Sequence, residues 1–196
     1  MKPAFKHTRA STAAAGFLVL SCLVTAGSGR GEAARREVQT GAFVVEHTLV
    51  LPGAPVTIYD AVTADVGEWW DHSFSESPLE FYIEPVPGGG FWEIFDESGD
   101  GVRHAVVIFA DRGKRLRFEG PLGLSGRAIQ MVHTFEFSNV GNDSTRLDLS
   151  VHASGEIEPG LAETVEKVWW HFLVERLKPY VESGAHLDRP KDGGGR

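Results

Sequence analysis

One stretch near the C-terminus constrains this chain more than any other: residues Leu161 to Tyr180, which follow a long series of strand-like segments. At about 100° per residue, Val168, Leu161, Phe172, Val165, Trp169, Tyr180 and Leu173 fall within an arc of about 140°. Glu163, Lys167, His171, Glu175, Lys178 and Glu182 gather on the opposite side. A helix with so bulky an apolar face must bury it, and the preceding strands offer the surface to bury it against. Arg176 is the one charge inside the arc. Either its stem packs while its head reaches water at the sheet edge, or its guanidinium points inward, toward a carboxylate such as Glu93 or an anionic ligand. Glu158-Pro159-Gly160 opens the helix, with a proline suited to a first turn. Pro179 removes one helical hydrogen bond and disfavours helix at Lys178, so a kink or an end is expected there.

The segments before it read as strands. Phe43, Val45, His47, Leu49 and Leu51 alternate with Val44, Glu46, Thr48 and Val50, until Pro52-Gly53 stops the pattern. Ala54 to Thr63 reads as a short helix with Val56, Tyr59 and Val62 on one face, and Val66 to Trp70 as a further helical turn. Strands then follow at Leu79–Glu84, Phe91–Asp96, Val102–Ala110, Arg115–Glu119, Ile129–Val140 and Arg146–Ile157, separated by Gly-, Asp- and Asn-rich turns. In the first of these, Leu79, Phe81 and Ile83 share a side. Runs of strands with helices set apart define an α+β fold. We expect a curved antiparallel sheet of about seven strands gripping one long C-terminal helix, with two short helices after the first strand. Such a helix across such a sheet makes a container.

The chain of 196 residues suits one such domain, at 42% hydrophobic and 23% charged. Residues 1–26 stand apart. Lys2, Lys6 and Arg9 form a basic start, Ala13 to Ala26 is almost wholly apolar or small, and Val24-Thr25-Ala26 offers small residues for cleavage. This reads as a secretory signal peptide. Export to a periplasmic or extracellular space is the expectation. Cys22, the only cysteine, lies within it. A second reading makes Cys22 a lipid-attachment site, against which Leu20 is bulkier than such sites prefer. Residues 27–41 read as a flexible linker, 42–183 as the domain and 184–196 as a disordered tail. Without the leader, 19 basic residues become 16 against 27 acids, a net charge of −11. That argues against nucleic acid and against anionic lipid as partners. No integral membrane span is expected after processing.

Several motifs in order resemble a known superfamily. Ala61-Val62-Thr63-Ala64-Asp65 is followed by Trp69-Trp70, then by Pro87-Gly88-Gly89 with Phe91 and Glu93, then by Arg115-Leu116. Thr145-Arg146-Leu147 opens the last strand and Trp169 to Lys178 carries the helix. Over residues 43–182 the domain resembles the START-like, or Bet v 1-like, helix-grip (SRPBCC) superfamily. Within it the chain is similar to the bacterial polyketide cyclase/dehydrase and Hsp90-ATPase-activator-like groups. The resemblance implies a fold that binds lipids, sterols, polyketides and other apolar molecules, with catalysis of cyclisation or dehydration in a minority of members. It implies no shared catalytic constellation. An exported chain is not expected to activate a cytosolic chaperone.

Three polar residues on apolar strand faces are the candidates for chemistry. His133 alternates in phase with Ile129, Met131, Phe135 and Phe137; facing inward, it can act as acid or base or bind a ligand. His104 shares its parity with Val102, Val106 and Ile108, but Ala105, Val107 and Phe109 make the other face equally apolar. Glu93 is in phase with Phe91 and Phe95, while Trp92 and Ile94 are as apolar, so its direction stays open. Trp69, Trp70 and His72 border the expected mouth. No His-x-x-x-His or His-Glu-x-x-His spacing occurs, and Asp96 to Gly101 lacks the glutamate that a calcium loop needs, since position 107 is Val. No metal and no cofactor are expected.

The reading is therefore an exported binding protein for a small apolar or amphipathic ligand. The expected lining is Trp69, Trp70, Phe91, Phe118, Met131, Phe135, Leu161, Val165 and Trp169, with His133 and either Glu93 or Arg176 as polar contacts. Two alternatives stand beside it: a cyclase or dehydratase using His133 and Glu93 for proton transfer, and an interaction domain whose interior is filled by its own side chains.

Overall fold

The computed structural model describes residues 34–64 and 66–188. The expected leader with Cys22, the first part of the linker, Asp65 and the end of the tail lie outside the described residues. Strand β1 (Thr40–Pro52) takes Thr40 and Gly41 from the segment expected as linker. Its inward face holds Val45, Leu49 and Leu51, the phase that alternation predicts. Helix α1 (Pro55–Thr63) follows, and a 3-10 turn covers Val66–Glu68. Strands β2 (Glu80–Ile83), β3 (Gly90–Ile94), β4 (Gly101–Asp111), β5 (Arg115–Glu119), β6 (Ile129–Val140) and β7 (Ser144–Glu156) run to the closing helix. They form one seven-stranded antiparallel sheet in the order β1-β7-β6-β5-β4-β3-β2. From β2 to β7 each strand pairs with the next, and β7 returns to pair with β1, so β1 and β2 are the two edges. The fold is α+β, with the curved sheet wrapped on the C-terminal helix.

Two surface positions depart from the expected faces. Val56 is 41% exposed and Leu79 is 55% exposed. In α1 the buried face runs through Ile58, Tyr59, Ala61 and Val62, which places Val56 at its margin. Leu79 precedes β2, outside the alternation that buries Phe81 and Ile83.

Strand β4 resolves the ambiguity over His104. Phe91 pairs with Ala105 and Trp92 with Arg103, so His104 is an extra residue opposite β3. A β-bulge of this kind puts two successive side chains on one face. His104 and Ala105 are both buried, and Val107 follows them inward. A second irregularity falls at Ile108, between the Val107–Phe118 and Phe109–Arg117 pairs. Simple alternation therefore fails in β4, and His104 and Val107 share the interior.

The closing helix begins at Leu161, after Gly160 in a left-handed conformation (φ 83°), so Pro159 lies before the cap rather than in the first turn. It comprises α2 (Leu161–Trp170), a π-helical segment (His171–Leu177) and α3 (Lys178–Glu182). Pro179 neither ends nor interrupts it. The N–H of Lys178 bonds the carbonyl of Leu173, five residues back. Proline offers no N–H and in an α-helix crowds the carbonyl four residues earlier. Widening the preceding turn removes that crowding, and the helix continues to Glu182. The wider turn also shifts the side-chain phase. Leu177 and Val181, outside the arc drawn at constant pitch, are buried, whereas Val168 is only partly so. Each large buried side chain of this face contributes roughly 1.5–3 kcal/mol before entropy is counted.

Candidate functional site

Between sheet and helix the expected lining residues meet. Phe91, Phe118, Met131, Phe135, Leu161, Val165 and Trp169 are all buried, and Trp69 and Trp70 join them from beyond α1. They form a continuous ring network. Trp70 stacks on Phe172 at 3.8 Å and meets Phe91 at 5.3 Å and Trp169 at 5.6 Å. Phe118 lies 5.9 Å from Phe91 and 5.8 Å from Phe135, which in turn lies 5.7 Å from Trp169. Offset and edge-to-face pairs such as these add to area burial. The container is thus occupied by its own aromatic side chains. Two hollows lie elsewhere, among the described residues. One, of about 670 Å³, is a groove on the outer face of the sheet, lined by Thr48, Arg117, Thr134, Asp148 and His152. The other, of about 360 Å³, lies beside Pro121 and Gln130.

His133 sits in the middle of this network with 0% exposure. Its ring stacks on Phe118 at 4.8 Å and tilts against Trp169 at 5.4 Å. Nε2 lies 3.2 Å from the carbonyl of Gly120, so Nε2 carries the proton and Nδ1 is left as an acceptor. No partner reaches Nδ1, which is itself buried. Burial pushes the imidazole down to about 3, against the small opposing effect of the Gly120 carbonyl. At neutral pH this is a neutral ring offering one lone pair to an apolar interior. A buried acceptor left unmade costs about 1–3 kcal/mol.

Glu93 and His104 form a separate group. Both face inward, at 0% and 3% exposure. The Glu93 carboxylate accepts from the backbone N–H of Phe74 (3.1 Å), the backbone N–H of Ser75 (2.7 Å) and His104 Nε2 (2.9 Å). Its donors thus come from β4 and from the loop between the 3-10 turn and β2. Phe74, Phe81 and Phe91 surround the imidazole. Burial holds His104 below the ordinary histidine value, although Glu93 works the other way. The carboxylate therefore pins the loop. It does not pair with His133, whose polar contact is Gly120, and the expected His133–Glu93 couple is replaced by Glu93–His104.

Arg176 reaches neither of these groups. Its side chain is 40% exposed, with Nε 3.3 Å from Asp71 Oδ2 at the start of the same loop. The guanidinium stands at the rim, and the expectation of an inward polar contact from Arg176 is corrected accordingly. The π-helical phase shift turns its position away from the sheet.

Two features escaped the sequence. The pairing of Glu93 with His104 depends on the β4 bulge, which alternation does not reveal. Asp71, His72 and His171 also come together, with donor atoms within 4.8 Å of one another. A separation of 100 residues hid this grouping from any spacing rule. The Asp96–Gly101 segment is a turn whose Asp96 accepts from the Ser98 backbone and hydroxyl, as a hairpin reading predicts.

No known protein-family profile matches the chain, and no curated protein sequence matches it. Solved structures do match. A protein from Rhodobacter sphaeroides aligns with a TM-score of 0.53 at 19% identity, over 78% of this chain and 100% of its own. Ara h 8.0201 aligns with a TM-score of 0.52 at 14% identity, over 73% and 99%. The Aha1 dimer from Colwellia psychrerythraea aligns with a TM-score of 0.50 at 20% identity, over 72% and 98%. At these identities the likeness is one of fold. The chain has the START-like, Bet v 1-like helix-grip fold. No helix among the described residues is long and apolar enough to cross a membrane.

Proposed function

We propose that this chain is an exported carrier of a small apolar ligand bearing one hydroxyl or N–H donor, held between the sheet and the closing helix. The observation that carries this reading is the unpartnered Nδ1 of His133, fully buried among Phe118, Trp169 and their neighbours. A donor from a ligand satisfies that atom, while the ligand's apolar body replaces ring–ring contacts with ring–ligand contacts of similar worth. Entry requires the aromatic network to open. The loop after Trp70, pinned by Glu93 on one side and by Asp71 against the closing helix on the other, is the segment whose release opens it. Export rests on the character of residues 1–26. The fold's resemblance to apolar-ligand binders supports the ligand class.

A second reading, an interaction domain with a filled interior, draws on the packing of Phe91, Phe118, Phe135 and Trp169. Mass spectrometry of small molecules retained by protein purified from its native host separates the two. The carrier reading expects a retained apolar molecule with a hydroxyl or N–H. Protein that retains nothing and does not bind an apolar fluorescent probe contradicts it.

A further inference from the structure

On the rim of the domain, Asp71, His72 and His171 converge from two distant parts of the chain. Asp71 Oδ1 lies 2.9 Å from His72 Nδ1 and 2.9 Å from His171 Nε2. The imidazole rings of His72 and His171 meet edge-on at 5.5 Å, and Phe172 backs both at 4.9 and 5.7 Å. We infer that Asp71, His72 and His171 form a binding site for a divalent transition-metal ion such as zinc, which ties the loop after Trp70 to the closing helix.

The donor set carries the argument. Two imidazole nitrogens and one carboxylate oxygen suit zinc and its borderline neighbours, and three protein donors leave a position for water. Donors around zinc sit at about 2.0–2.2 Å from the ion, so the oxygen–nitrogen separations need to widen by a few tenths of an ångström, while the two imidazole nitrogens, within 4.8 Å of each other, close to a similar spacing by side-chain rotation. The surroundings fit as well. His171 Nδ1 donates to Glu175 Oε2 at 2.7 Å, and Nε2 faces both Asp71 oxygens at 2.9 and 3.0 Å, so an ion takes the place of the Nε2 proton while Glu175 keeps the Nδ1–H. A carboxylate on the far nitrogen of a ligating histidine is the arrangement that fixes ring orientation and raises ligand basicity. Arg176 forms an ion pair with the same carboxylate, its Nε 3.3 Å from Asp71 Oδ2, and favours the ionised form that a cation needs. The π-helical segment begins at His171, and its wider turns set His171, Glu175 and Arg176 around Asp71. From the loop side, Trp70 Nε1 donates to the carbonyl of His72 at 2.7 Å and steadies the backbone next to the donors. An ion here bridges the loop after Trp70 and the closing helix. The inference goes beyond the carrier reading and does not depend on it.

The test uses the full chain, stripped with a chelator and titrated with Co²⁺ and then Zn²⁺. Saturable binding of one Co²⁺ with visible d–d absorption, displaced by Zn²⁺, is expected. His171→Ala, His72→Ala and Asp71→Asn should each lower affinity at least tenfold, and Glu175→Gln by about 10- to 100-fold. All four positions are at least partly exposed, so far-ultraviolet circular dichroism should stay unchanged. Zn²⁺ should also slow amide exchange in residues 71–78. Absence of saturable Co²⁺ binding overturns the inference. So does binding that survives undiminished in both His171→Ala and Asp71→Asn, because the ion then sits elsewhere on the chain.

Discussion

Glu93 and His104 meet across β3 and β4, with His104 Nε2 2.9 Å from Glu93 Oε2 and both side chains closed off from water. The same carboxylate caps the backbone N–H groups of Phe74 and Ser75, so one buried acid joins two strands to the loop over the interior. Glu93→Ala leaves these donors without an acceptor. We expect a loss of about 3–5 kcal/mol, the scale for removing one partner of a buried charged group. Amide exchange at Phe74 and Ser75 should accelerate more than exchange in β6 and β7. Equal acceleration everywhere would mean that Glu93 supports the fold as a whole and does not hold the loop.

His133 should not titrate in the ordinary histidine range. With its native value about 3, the folded protein binds no proton there between about pH 6.5 and 3, while the unfolded chain does. The unfolded state thus holds more protons in that window, and stability falls as pH drops from about 6.5 toward 3. His104, held below its ordinary value by burial against the pull of Glu93, acts in the same direction. Each histidine contributes at most about 1.4 kcal/mol per pH unit. Urea unfolding between pH 7 and 5 should show this slope, reduced in His133→Phe. A His133 ring resonance that shifts with a midpoint near 6.5 would contradict the burial argument.

Size and polarity at position 133 should separate cleanly. His133→Phe keeps an aromatic ring against Phe118 and Trp169 and removes the orphan Nδ1, while Gly120 loses one donor. These effects offset, and stability should change by about 1 kcal/mol or less. His133→Ala removes the ring from a packed interior and should cost about 3–5 kcal/mol. Denaturant midpoints compare the two. A loss for His133→Phe as large as for His133→Ala would show that the Gly120 contact matters more than the packing.

The sheet, its strand order and the closing helix were legible because their signals are periodic and long. The alternation in β1, β6 and β7 and the apolar arc of the helix each repeat often enough to outweigh local exceptions. Inward placement of His133 followed from that alternation and holds. Where one residue breaks the period, the reading failed or stayed open. The bulge at His104 decides which face Glu93 finds a partner on, and no local pattern announces it. Pro179 signalled a disturbance, but its remedy is a wider turn upstream, which moved Leu177 inward and Arg176 to the rim. Asp71 and His171 meet only because the loop and the helix pack together. The filled interior was likewise a matter of packing, since residue sizes alone do not say whether rings line a space or occupy it.

The most direct test of the carrier reading compares 2-naphthol with naphthalene, two rings that differ by one hydroxyl donor, on the native protein and on His133→Phe. If His133 Nδ1 receives a ligand donor, the native protein should bind 2-naphthol more tightly than naphthalene by about 5- to 100-fold, the worth of one buried hydrogen bond. His133→Phe should bind the two alike. Binding of neither compound, or a preference for 2-naphthol that persists unchanged in His133→Phe, would contradict the account.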